Sequence, residues 1–347
     1  MVLNVRVREI YSETVRQGLI REGIVPLLGT FMLFFIILPL FSIAEADVFL
    51  LNKHSRIIGV TKEYRVKDNE SLIEIARRFK LGYNEIVDAN PDLDPFVPGK
   101  DSIVLIPSSW ILPEFYHEKP DDGFRFKTSS KKNFRNSLKS RLQSRQEEIV
   151  INISEMRLYY FYRKGERDFV RTYPIGIGDD GNETPTGRFS IIEKIKDPPW
   201  HVPESIKRER PELPEVVPPG PDNPLGSHAL RLSLGSYLIH GTNRPYAVGR
   251  KVTHGCLRLY PEDIPELFNL VSVGTPVIIV RQPIKVGVEN GKVYIDVHRD
   301  EKLKDSEYLD EAFRILKAKN LLGLINSEKQ YRAIDEKRGI PVAISGE

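Results

Sequence analysis

A chain of 347 residues is too long for one ordinary domain, and its 40% hydrophobic content suffices for globular cores, so two domains with tails is the starting expectation. With 51 basic against 48 acidic residues the net charge is only +3, and no basic stripe interleaved with aromatics occurs, which argues against nucleic acid as a partner. The single cysteine excludes an intramolecular disulfide framework.

Residues 1–23 carry Arg6, Arg8, Arg16 and Arg21, and residues 24–43 carry no charge. Pro26, Gly29 and Pro39 interrupt the apolar run, and Ala44-Glu45-Ala46 follows as a small-x-small cleavage site. Residues 1–46 therefore read as an export signal cleaved after Ala46, which makes the protein periplasmic. The long basic start keeps an uncleaved anchor open, the only route by which this chain would touch a membrane.

Residues 62–108 read as strand, two helices and strand: Y-R-V, then S-L-I-E-I-A-R-R-F with Leu72, Ile75, Ala76 and Phe79 at helical spacing, then Y-N-E-I-V-D-A-N stopped at Asn90-Pro91, then S-I-V-L-I-P. The stretch resembles a LysM module, a small βααβ domain that binds N-acetylglucosamine-containing glycans. The Gly-Asp-Thr that usually opens the first helix is here Asp68-Asn69-Glu70-Ser71, still able to cap a helix but altered near the usual sugar groove. A module that only spaces the next domain is the alternative. Residues 109–147 follow as a linker: between Gly123 and Gln146 lie Arg125, Lys127, Lys131, Lys132, Arg135, Lys139, Arg141 and Arg145 and no acid, a composition that predicts a mobile or weakly helical segment.

From Glu148 the pattern turns to strands: I-V-I-N-I, then M-R-L-Y-Y-F-Y, a Lys164-Gly165 turn, F-V-R-T-Y-P-I-G-I-G, and T-P-T-G-R-F-S-I-I from Thr184 to Ile192. Nine prolines between Asp197 and Gly226 predict one long stiff loop, too proline-rich for helix or central strand. Its length suggests a cap over a groove, lined by Trp200 and His201, although a core-filling Trp200 is equally compatible.

The chemistry concentrates in His240 to Arg258, H-G-T-N-R-P-Y-A-V-G-R-K-V-T-H-G-C-L-R. Cys256 has His254 two residues before it and His240 sixteen before it, and a thiol attacks only as thiolate, which a neighbouring imidazole or cation supplies. S-Y-L-I-H reads as a strand delivering His240, and the turn-rich G-T-N-R-P brings the chain back toward the cysteine. The N–H groups of Gly255 and Cys256 are candidates to face an oxyanion. A buried structural cysteine is the bland reading, weakened by two histidines and two glycine turns. Zinc would be left with an incomplete ligand set, since C-x-x-C and H-E-x-x-H are absent, so no metal and no cofactor are expected.

Thr253 to Arg258 matches the [S/T]-H-G-C-hydrophobic-[R/N] hallmark of the L,D-transpeptidase catalytic domain, also called the YkuD domain, and His240 falls at its upstream histidine. The resemblance implies a mainly β, sandwich-type catalytic domain with short helices, here residues 148–286. It implies Cys256 as nucleophile and His240 as general base, with His254 and Gly255 shaping the thiolate and oxyanion environment. Arg258, Thr242 and Trp200 become candidates to bind substrate, Arg258 through a carboxylate or else as a salt bridge inside the fold.

Beyond Cys256, Pro261 to Leu270 predicts a short helix, Gly274-Thr275-Pro276 a turn into V-I-I-V, and 292–298 one more strand. In the remaining 287–347 segment, Leu309, Ala312, Phe313 and Leu316 predict an amphipathic helix packed on its apolar face, with fraying beyond Asn326. The resemblance implies peptidoglycan stem peptides and glycan as partners: the cysteine attacks the L-centred third residue of a tetrapeptide stem, D-alanine leaves, and an amine resolves the thioester. V-P-P-G-P-D-N-P-L-G-S-H-A-L-R-L with the preceding module looks like the subgroup that tethers an outer-membrane lipoprotein through a C-terminal lysine. A neighbouring stem amine is the other acceptor, and a non-catalytic wall-binding protein the rival class.

Overall fold

The computed structural model describes residues 48–52, 55–114 and 147–346. The export signal with its cleavage site, and most of the basic linker, lie outside the described residues. Among the described residues no helix is long and apolar enough to cross a membrane.

The chain runs through β1 (Val48–Leu50), β2 (Ile57–Gly59), β3 (Lys62–Arg65), α1 (Leu72–Arg78), α2 (Tyr83–Ala89), β4 (Ile103–Ile106) and β5 (Ser109–Ile111). β3 pairs antiparallel with β4, and β2 with β5. The altered Asp-Asn-Glu-Ser stretch does cap its helix: Ser71 Oγ accepts the Glu74 N–H while the Glu74 carboxylate accepts the Ser71 N–H. Leu72, Ile75 and Ala76 then face inward, against Leu81, Ile86, Val104 and Ile106. Residues 109–114, expected to open the linker, are instead β5 and a buried run, because Trp110 and Leu112 join this same core.

The main body contains β6 (Glu147–Asn152), β7 (Arg157–Lys164), β8 (Arg167–Pro174), β9 (Ile177–Gly178), β10 (Gly187–Lys196), β11 (Trp200–His201), α3 (Glu204–Glu209), β12 (Val216–Val217), β13 (His228–Leu232), β14 (Leu238–His240), β15 (Lys251–Thr253), β16 (Leu257–Arg258), α4 (Asp263–Leu270) and β17 (Pro276–Val280). Nine strands form one sheet in the order β1-β8-β7-β6-β17-β10-β13-β14-β16. The two halves meet at β10, whose first residues pair with β17 and whose last pair with β13 across a register shift at Ile191/Glu193. A bulge there bends the strand, so one sheet supplies both walls of the core. Between the walls lie Ile149, Ile151, Leu158, Tyr160, Leu230, Ile239 and Leu257, closed by Ile264 and Leu267 of α4.

The proline-rich segment is not a single loop. β11 pairs with β12 and α3 lies between them. Pro203 takes the N-cap position at φ −61°, so that proline precedes the helix instead of interrupting it.

The outward-facing side chains of the β6–β8 half, Val150, Tyr159, Phe161 and Val170, pack with Ile278 of β17 directly on the α1–α2 module. β1 extends the same half by pairing with β8. The module is thus docked. Arg157, fully buried on β7, donates from Nε and Nη2 to the two oxygens of Glu85 on α2, each at 2.7 Å, and its guanidinium lies 4.2 Å over the Trp110 ring. Trp110 Nε1 donates to the same carboxylate at 2.9 Å, and Lys80 Nζ reaches Asp263 at 2.5 Å.

The expected boundary at 286/287 falls inside a strand. β18 (Ile284–Glu289), β19 (Lys292–Val297) and β20 (Val342–Ala343) form a separate three-stranded sheet covered by α5 (Asp305–Ala318) and α6 (Ser327–Glu336). On α5 the packed face is Tyr308, Ala312 and Leu316, whereas Leu309 and Phe313 are exposed. The end of the chain does not fray at Asn326: its side chain caps α6, and Ala333, Ile334 and Ile344 are buried.

A buried ionic quartet joins this sheet to the main body. Lys285 bridges Glu155 and Asp296, and His298 Nε2 lies 2.9 Å from Asp296 and 3.4 Å from Glu155. Burial alone would lower the His298 pKa, but the Asp296 carboxylate outweighs it and the value is raised. Protonated His298 balances the quartet. Its stabilisation is complete below the ordinary imidazole value near 6.5 and is lost as pH rises through the raised folded value. The melting temperature of wild type over His298→Gln should therefore show its largest advantage below about pH 6.5 and a shrinking one as pH rises above it. A constant difference would remove the protonated imidazole from this account.

Candidate active site

Parallel pairing of β14 with β16 sets Ile239 opposite Leu257 and His240 opposite Arg258. Side chains alternate across a strand, so Ile239 and Leu257 enter the core, while His240, Arg258 and Cys256, two residues before Arg258, share the other face. Cys256 adjoins Leu238, whose backbone hydrogen-bonds the thiol. Residues eighteen apart in sequence thus become cross-strand partners, and His240 and Cys256 lie two positions apart along the paired strands.

His240 is 3% exposed and its Nδ1 lies 2.6 Å from the Gly241 carbonyl oxygen. A carbonyl only accepts, so Nδ1 carries the proton and a neutral ring keeps its lone pair on Nε2. Burial, reinforced by the Arg258 charge, pushes the His240 pKa down to about 3. Burial also raises the Cys256 pKa against smaller lowering from the Leu238 backbone and Arg258. Burial thus favours the neutral form of both groups, the uncharged imidazole of His240 and the protonated thiol of Cys256. Alkylation of Cys256 by iodoacetamide should be slow at neutral pH, rising only above the ordinary thiol range near 8.5. A rate already at its plateau near pH 7 would show a thiolate instead.

The turn before the cysteine is held on both sides. Thr253 Oγ1 donates to the Cys256 carbonyl at 2.6 Å and accepts the Gly255 N–H at 3.1 Å. Thr184, from the T-P-T-G turn, donates to the Gly255 carbonyl at 2.9 Å and accepts the Gly178 N–H at 3.0 Å. Gly255 has φ +97°, and a Cβ there would come within 2.6 Å of the Tyr237 ring. Because its N–H is committed to Thr253, the expected pair of oxyanion donors is reduced to that of Cys256. Thr184 and Tyr237 escaped the sequence reading, since T-P-T-G carried only a turn signal and Tyr237 only a strand signal.

The other candidates divide. Arg258 adjoins the thiol; its Nε is buried with no hydrogen-bond partner among the described residues, and burial and the nearby Arg244 charge both lower its pKa. Two guanidinium groups close to one another beside a thiol suit a carboxylate. Thr242 is buried, and its Oγ1 accepts the Arg244 N–H at 2.9 Å, so it holds the turn below the site. His254 Nε2 lies 3.5 Å from Glu209 at the end of α3, so the proline-rich segment reaches this turn. Trp200 is half-buried in the ribbon beside that helix, opposite Val217.

Residues 146–279 match the model of the L,D-transpeptidase catalytic domain, YkuD. The "Probable L,D-transpeptidase YcfS" of Escherichia coli (strain K12) is 36% identical over 307 residues, covering 84% of this chain and 85% of its own. The "Probable L,D-transpeptidase ErfK/SrfK" of Salmonella typhimurium is 31% identical over 305 residues, covering 84% and 88%. Among solved structures, an L,D-transpeptidase from Mycobacterium smegmatis is 24% identical with a TM-score of 0.32, over 39% of this chain and 58% of that one. On the sequence relationship to the first two, this chain belongs to the L,D-transpeptidase family.

Proposed function

We propose that this L,D-transpeptidase works through Cys256 on peptidoglycan stems in the periplasm. The observation that carries the reading is the pairing of β14 with β16, which puts His240, Cys256 and Arg258 on one face of the sheet. His240 Nε2 takes the Sγ proton as sulfur attacks the carbonyl of the third stem residue, and the oxyanion forms beside the Cys256 N–H. Collapse breaks the peptide bond, the imidazolium gives its proton to the departing D-alanine amine, and a thioester remains. An acceptor amine attacks it, loses a proton to His240, and releases the thiol. Arg258 and Arg244 are the groups suited to substrate carboxylates. Intact mass after incubation with a carbapenem tests the nucleophile: wild type should gain one drug mass and Cys256→Ala none, and an adduct on both would place the acylation elsewhere.

Among acceptors we favour the C-terminal lysine of an outer-membrane lipoprotein, with the α1–α2 module holding glycan as LysM modules do. Support comes from the likeness of the proline-rich V-P-P-G-P-D-N-P-L-G stretch to the lipoprotein-tethering subgroup, and from the helix preceding it, whose Glu209 lies 3.5 Å from His254. Because the module is docked on the sheet, glycan held there would lie in a fixed relation to the site. Muropeptides from cells with wild type or Cys256→Ala separate the acceptors. Loss of lipoprotein-derived peptides supports tethering, whereas loss of stem-to-stem cross-links alone overturns it.

A further inference from the structure

The loop from Gly241 to Arg250 connects His240 to β15, and β15 ends three residues before Cys256. Its far end is clasped from two directions. From the main body, Gly249 N–H donates to Ile175 at 3.1 Å and Ile177 N–H to the Arg250 carbonyl at 3.0 Å. From the α1–α2 module, Tyr83 N–H donates to Val248 and Asn84 N–H to Gly249, each at 3.2 Å. These donors are the first two N–H groups of α2, which the helix cannot satisfy itself. The backbones meet so closely that a Cβ on Gly249 would lie 2.2 Å from Tyr83 N, and one on Gly82 2.9 Å from the Gly249 Cα.

The side chains add a second tie. The Arg250 guanidinium stands 3.6 Å over the Tyr83 ring, and its Nε is buried with no hydrogen-bond partner among the described residues, so the ring face is what meets this cation. α2 is itself fixed, because Glu85 accepts both the Gly82 N–H and the Arg157 fork. An unbroken line of contacts therefore leads from the buried Arg157 through α2 to Arg250, along β15, and into the turn that presents the thiol. A module serving only to hold glycan does not need its helix end sealed against the loop between the two reacting residues.

We propose that Tyr83 and Arg250 are positioning residues for the acylation step, so that the α1–α2 module is a working part of the catalytic centre whether or not it also binds sugar. The inference rests on Cys256 being the nucleophile. Loosening the Tyr83–Arg250 stack lets β15 and the Cys256 turn drift, and a displacement near 1 Å slows chemistry by up to about 100-fold.

The test is the rate of carbapenem acylation of the full chain, followed by intact mass at saturating drug and well below the melting temperature. Tyr83→Ala should slow the saturated rate about tenfold or more with little change in the drug concentration giving half that rate, and Tyr83→Phe, which keeps the ring face, should restore it. Arg250→Met approaches the same contact from the loop side and should slow the rate as Tyr83→Ala does; it carries the test should Tyr83→Ala not fold. A purely structural stack would lower the melting temperature of these variants and leave the rate at 20 °C or so unchanged, and that result overturns the proposal. If wild type itself gains no drug mass, it is the nucleophile assignment that fails.

Discussion

Cys256→Ser should leave a folded protein that no longer forms an acyl-enzyme. The substitution keeps size, and Cys256 is not part of the buried hydrophobic core, so little stability is at stake. Chemically it is severe. With His240 held neutral by burial and a pKa about 3, the base is weak, and only a nucleophile whose proton leaves readily as the bond forms can use it. An alcohol is several pK units worse than a thiol. His240→Ala should slow acylation by about 10²–10⁴, the range for a general base. His254→Ala should cost less, because that ring faces Glu209 of the cap. If His240→Ala stayed fully active while His254→Ala was dead, the base would be the other histidine. Melting curves of each variant separate lost chemistry from lost fold.

Arg157→Leu is the substitution expected to cost most stability. Arg157 is buried among Glu85, Thr172, the Lys80 carbonyl and the Trp110 ring, and its removal leaves the Glu85 carboxylate inside the protein without its cation. Breaking a buried pair from one side costs about 3–5 kcal/mol. Glu85→Gln in the same chain should recover part of that loss, since a neutral amide carries a smaller desolvation penalty and still accepts from Trp110. Denaturant unfolding of both single variants and the double variant reads the coupling. A cost below about 1 kcal/mol for Arg157→Leu would mean that the module is held by its apolar face and not by this pair.

The gathering of His240, Cys256 and Arg258 was legible because it is local: H-G-T-N, T-H-G-C and Arg258 lie within nineteen residues, and strand and turn signals suffice to fold them together. The protonation state was not, since it depends on burial, which residue type does not reveal. Docking of the module left a trace that was readable. I-V-I, L-Y-Y-F and V-I-I-V are apolar on consecutive residues, the mark of strands covered on both faces, and something had to cover the second. The lock itself was invisible, as Glu85 and Arg157 are 72 residues apart and look like two surface charges. On α5 the pattern found Ala312 and Leu316 but turned the packed face too far, toward Leu309 and Phe313. Tyr308 is the buried residue because its hydroxyl finds the His298 carbonyl and the Asp300 N–H, and Phe313 is left outside. α6 hides only Gln330, Ala333 and Ile334 in a stretch otherwise too polar to predict packing.

β17 is the last strand of the main sheet in sequence and lies fifth of nine in space, parallel to β6 and antiparallel to β10. As the chain is made from its N-terminus, β6–β8 can assemble early and β10–β16 later, but both present open edges until residues 276–280 arrive to join them. Every residue of the candidate site is synthesised before that happens. A chain ending anywhere between Leu270 and Pro276 would hold all of its chemistry and still have two unpaired half-sheets, each a template for association with another chain. The main sheet is therefore closed at its middle, by a strand that follows in sequence both of the halves it joins.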